Sequence, residues 1–181
     1  MSSSYREVLE FWFGGQPGAP QKRWFDKNAA FDAEVRERFL PLHEQLAAGA
    51  QWLEAADPCL ARIVVLDQFP RNMFRGTARA FATDAAALAA ARHAVAAGYD
   101  LGMLPVERQF IYLPFEHSEA LADQERACEL MRPLGEEAYD WALRHKRIIE
   151  RFGRFPHRNA ILGRPSTAEE IEFLRQPGSS F

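Results

Sequence analysis

Cysteine is scarce: Cys59 and Cys128 are the only two in 181 residues. Two thiols in a chain of this length do not make the disulfide framework that marks small secreted domains. Lysine is nearly as rare, since of 22 basic residues 19 are arginine and three are lysine. No apolar run approaches the roughly 18 residues that a membrane-crossing helix needs. No basic start followed by an apolar stretch marks a secretory signal. A soluble cytoplasmic protein is therefore expected. The formal net charge is only −3, which gives no field favouring nucleic acid or a membrane as partner. Period-two alternation, the mark of a half-buried strand, is missing too. So are H-E-x-x-H, a cysteine pair at zinc spacing and G-x-S-x-G. No metal site and no cofactor are implied.

What is present is an ordinary globular balance, 48% hydrophobic and 26% charged, in a length that suits one domain over 1–181 with a frayed tail from about 176. Apolar spacing is helical nearly throughout. Ser4 can cap a short helix through Phe13, and 14–22 is a loop by its glycines and prolines. Phe31, Val35, Phe39, Leu42 and Leu46 form one stripe, ended by Gly49. Asp57 and Pro58 read as a helix start, and that helix is expected to stop at Phe69, because the residue before a proline disfavours α conformation. Thr83 begins an alanine-rich helix ended by Gly98, and Pro105 opens the next. Ser118 can cap one running to about Arg132. Residues 136–152 make the clearest amphipathic helix. Ser166 and Glu169 have capping-box spacing for a last one. The expectation is all-α, about eight helices and no sheet.

Three helices carry a polar residue where the period calls for an apolar one: Asp67, Gln124 and His145. A buried carboxylate needs a charged or donor partner, and a partly buried histidine has a tunable pKa. Each has two readings, as a satisfied core polar group or as part of a shared pocket. Two corners, L-D-Q-F-P-R-N at 66–72 and R-F-G-R-F-P-H-R-N at 151–159, present an arginine fork beside a helix end. Such a fork locks a turn or holds a carboxylate or phosphate. Residues 144–164 carry seven bases against Glu150 alone, beside an acidic block over 116–140. Either the two pair with each other, or an arginine surplus remains for an anion.

These motifs, with F-W-F-G at 11–14, A-F-A-T-D at 80–84, Y-L-P-F-E-H-S-E at 112–119 and the run on to Arg164, resemble the bacterial domain-of-unknown-function family 924 from about residue 8 to 173. The resemblance implies a tetratricopeptide-like antiparallel helical array and no settled activity. It assigns no roles to the polar positions within the motifs.

The reading that follows is a pocket holding a small anionic ligand, and hydrolysis is one reaction that fits. Its candidate acid–base set is His117, His145 and Asp67. Its candidate ligand-binding residues are Arg71, Asn72, Arg75, Glu119, Arg154, His157, Arg158 and Asn159. The alternative is a non-enzymatic interaction module whose arginine-lined groove takes an acidic peptide. The sequence does not give the oligomeric state.

Overall fold

Helices begin where side chains take up free backbone N–H groups. In the computed structural model, which describes residues 4–14, 21–24 and 26–180, Ser4 Oγ accepts the Glu7 N–H at 3.3 Å and opens α1 (Tyr5–Phe13). Asn28 Oδ1 accepts from Ala30 and Phe31 at 3.0 and 3.1 Å and opens α2 (Ala29–Ala47). The stripe Phe31, Val35, Phe39, Leu42 and Leu46 is wholly buried. The loop expected at 14–22 lies mostly outside the described residues.

The next rod departs from expectation. Asp57 does not cap it; α3 (Ala56–Ile63) starts two residues earlier than expected, with Ala55 at the cap position, and Asp57 lies in its first turn. Nor does the rod stop before Pro70. It passes through a π turn, Val64–Gln68, and continues as α4 (Phe69–Met73). In the π turn the Phe69 N–H reaches back five residues to the Val64 carbonyl. This wider turn accommodates a proline that would clash in a regular α-helix. The carbonyls left over find other donors. Thr83 Oγ1 donates to the Leu66 carbonyl at 2.6 Å, and Arg71 Nη1 to that of Asp67 at 2.5 Å.

The rest of the chain is α5 (Asp84–Ala96), α6 (Pro105–His117), α7 (Leu121–Met131), α8 (Glu136–Phe152) and α9 (Ala168–Leu174). The alanines of α5 let α3 come close: Ala87, Ala90, Ala91 and Ala94 are buried, and Cys59 Sγ donates to the Ala90 carbonyl at 3.6 Å. Ser118 ends α6 instead of capping α7. Its Oγ still accepts the Ala120 N–H at 3.2 Å while donating to Asp123 at 2.6 Å. The last capping box sits one residue later than expected, on Thr167 and Glu170.

Helix α1 packs on α3, and α2 on α4. From α5 onward each helix packs on its successor as far as α8, and α6 also meets α3 and α8. The fold is all-α, with no strand among the described residues. No described helix is long and apolar enough to cross a membrane. One large core runs from Val8 to Ala142, and a small one gathers Ile148, Ile149 and Phe155. Between them, where α4, α5, α6 and α8 come together, lies a knot of charge.

Candidate functional site

Asp67 sits on the π turn and is fully buried. Its carboxylate accepts from His117 Nδ1 at 2.7 Å and Gln68 Nε2 at 2.6 Å, with Arg71 Nη1 3.4 Å away. Burial alone would raise its pKa, but Arg71 and His117 outweigh that and hold it at about 2. A carboxylate only accepts, so His117 Nδ1 carries the proton and Nε2 is left as the basic nitrogen. Burial, and then the charge of Arg71, lower the pKa of His117. Its side chain stays 15% exposed.

Arg71 closes bidentately on Asp84, at the start of α5, at 2.9 and 3.2 Å. Arg158 comes from the corner after α8, where Pro156–Arg158 make one 3₁₀ turn. Its guanidinium carbon lies 4.7 Å from the ring centre of Phe81 and 4.6 Å from that of Phe155. Only 8% of its side chain is exposed. Among the described residues its single side-chain hydrogen bond is a long one, Nη1 to Asp84 at 3.4 Å, and its Nε has no partner. Burial and then the Arg71 charge pull it down to about 10, so it is still a cation at neutral pH.

Behind these lies a third layer. His145 Nδ1 donates to the Trp141 carbonyl at 2.9 Å and lies 3.3 Å from Glu116. Its ring centre is 6.4 Å from that of His117. Burial pushes Glu116 up to about 8 and His145 down to about 3. Burial and Arg158 bring His157 to about 4. All three are uncharged at neutral pH.

The cluster thus brings together Asp67, Arg71, His117, His145, His157 and Arg158 from the residues singled out in the sequence. The others serve corners nearby. Arg75 closes on Asp32 at 2.7 and 2.8 Å, and Asn72 donates to the same carboxylate at 2.8 Å. Arg154 grips Glu170 at 2.7 and 2.8 Å. Glu119 takes both arms of Arg164, at 2.6 and 2.9 Å, and the Phe155 N–H at 2.8 Å. Asn159 bridges Arg164 and Ser166. Gln124 donates to the carbonyls of Glu116 and Ser118, both at 2.6 Å, and so ties down the end of α6. Sequence reasoning missed Asp84, Glu116 and the two rings around Arg158. Asp84 and Glu116 do lie inside the motifs A-F-A-T-D and Y-L-P-F-E-H-S-E, and that was the available signal.

Among the described residues no group of three or more His, Cys, Asp or Glu side chains is placed to hold a metal ion. Two surface concavities of about 400 Å³ each lie elsewhere, one beside Arg23 and Arg38 and the other beside Arg92 and Arg126.

A family described as "Bacterial protein of unknown function (DUF924)" matches residues 8–178. The chain is also similar to a solved structure from Agrobacterium tumefaciens, described as the protein of unknown function ATU0120. The two are 45% identical, with a TM-score of 0.85, over 94% of this chain and 96% of that one. No curated protein matches the chain.

Proposed function

This chain belongs to the bacterial DUF924 family of unknown function, and for it we propose that the cluster of Asp67, Arg71, His117 and Arg158 binds a small anion, with His117 as the acid or base beside it. Arg158 carries this reading. Its guanidinium is desolvated, close to two rings, and among the described residues satisfied only by one hydrogen bond at 3.4 Å. A buried cation with idle donors costs free energy that a bound anion offsets. The other forks near it are already closed on Asp84, Asp32, Glu170 and Glu119, so they lock the frame and leave Arg158 to the ligand.

The Asp67–His117 pair supports an enzymatic version. Asp67 fixes the ring and its tautomer, and Nε2 is the nitrogen that takes or gives a proton. Activation of a water for hydrolysis of an acyl or phosphate compound fits this pair. A small ligand suits the site better than an acidic peptide, because Asp67 and Arg158 lie beneath the surface.

The test is a thermal-shift series with small carboxylates and inorganic phosphate. An anion should raise the melting temperature of the wild type and lose that effect in Arg158→Lys, which keeps the charge but not the planar fork. Equal shifts in both proteins, or none in either, would sink the assignment.

A further inference from the structure

The ionised groups of the cluster cancel before any ligand arrives. Arg71 and Arg158 face Asp67 and Asp84, and Glu119, the other carboxylate whose charge acts on Arg158, is neutralised by Arg164. Bringing one more negative charge into so buried a place leaves an imbalance unless a proton comes with it. From the structure we infer that the ligand is a monoanionic carboxylate and that His117 takes up one proton at Nε2 when it binds. This rests on the anion-binding reading and adds to it the ligand class and the pH dependence.

His117 is the group placed to accept that proton. It faces Asp67 and Arg71 from the π turn and α4, Asp84 from the start of α5, His145 from α8, and His157 from the corner beyond, where Arg158 reaches the same Asp84. Its Nδ1–H already donates to the ionised Asp67 at 2.7 Å, so a proton on Nε2 makes an imidazolium with a carboxylate in place. The charge of Arg71 now opposes that, and a ligand carboxylate on the guanidinium side would cancel the opposition. The neighbours do not serve. Glu116 is already protonated at neutral pH, and burial holds His145 and His157 at about 3 and 4. One available proton balances one charge. A phosphate dianion would need a second and find no group to take it. The planar fork of Arg158, its guanidinium carbon 4.7 and 4.6 Å from the ring centres of Phe81 and Phe155, also matches the two coplanar oxygens of a carboxylate.

The experiment is ¹H–¹⁵N NMR of the histidine rings during titration with acetate and, separately, inorganic phosphate, with His117 assigned from the signal lost in His117→Gln. At pH 8, acetate should move the His117 ring nitrogens to imidazolium positions. Its apparent affinity should weaken about tenfold from pH 7 to pH 8, one proton's worth, and equally so in Glu116→Gln, which removes the carboxyl that is itself raised to about 8. Phosphate, largely dianionic at pH 8, should neither bind nor compete. His117→Gln keeps a donor for Asp67, and its weaker acetate binding should not vary with pH. Should that variant fail to fold, the pH dependence of acetate binding to the wild type decides alone. Acetate binding with a neutral His117 and no pH dependence overturns the proton uptake and leaves anion binding standing. Phosphate bound as tightly as acetate at pH 8 overturns the monoanion choice. No binding by either anion overturns both this inference and the function it rests on.

Discussion

Glu116 and His145 share one buried spot and titrate in opposite senses. The folded Glu116 carboxyl is raised to about 8, so the folded form holds its proton more tightly than the unfolded chain. Its contribution is fully present below the ordinary carboxylate range and is lost as pH rises towards 8. His145 is lowered to about 3, so its contribution is present above the ordinary histidine range and is lost as pH falls from there. Stability should therefore decline on both sides of a maximum. On the alkaline side the slope from Glu116 is at most about 1.4 kcal/mol per pH unit. Glu116→Gln should flatten that side in urea unfolding followed from pH 6 to 9; an unchanged alkaline slope would mean that the carboxyl ionises freely. Asp67→Ala leaves Arg71 and His117 facing a buried hole and should cost about 3–5 kcal/mol. Arg75→Ala, in a partly exposed pair, should cost under about 1 kcal/mol. Helical period was enough to place Asp67, Gln124 and His145 on core faces, because each interrupts a run of apolar neighbours. The same reasoning had no purchase on Asp84 or Glu116. Asp84 reads as an ordinary acid in a first turn, and Glu116 as one member of an acidic block. Only the third dimension brings Arg71 and His145 to them.

At the scale of elements, the π turn departs most from local sequence rules. Pro70 forbids a regular helix through Leu66, and the rule that a helix stops there assumes that a freed carbonyl must face water. Here the hydroxyl of Thr83, well over a turn away in another element, takes the Leu66 carbonyl. Thr83→Val keeps the shape of the side chain and removes the donor. It should cost about 1–3 kcal/mol in chemical unfolding, the penalty for an unmet buried carbonyl. A cost below about 0.5 kcal/mol would show that the turn holds without it. Caps were legible only to within a residue or two, as at Ala55, Ser118 and Thr167. Where a serine, threonine or aspartate stands near a helix start, packing decides whether it is used.

For the whole molecule, the arginine forks act as ties between distant segments. Arg75 joins the turn after α4 to α2, Arg164 joins the C-terminal corner to Glu119 at the α6–α7 junction, and Arg154 joins the turn after α8 to α9. The C-terminal corner has only a small apolar core of its own, so its hold on the body leans on Glu119. Arg164→Lys should raise amide hydrogen exchange over 154–174 by about tenfold while leaving α2 unchanged. A uniform rise along the chain would argue instead for a loss of global stability. The fold class was legible because nearly every segment carries helical spacing. Which fork grips which acid was not, since the basic and acidic blocks offer many pairings of similar energy.

An α-turn extended by one residue changes the phase of everything after it by about 100°. Leading up to the π turn, the rod faces α1, α5 and α6 as α3; after it, as α4, it faces α2. One added residue therefore gives a single continuous rod two addresses. Taking a residue out of Val64–Gln68, with Pro70 changed to alanine so that a regular helix can run through, would put both halves back in phase and turn α4 away from α2, separating Arg71 from Asp84 without altering either side chain.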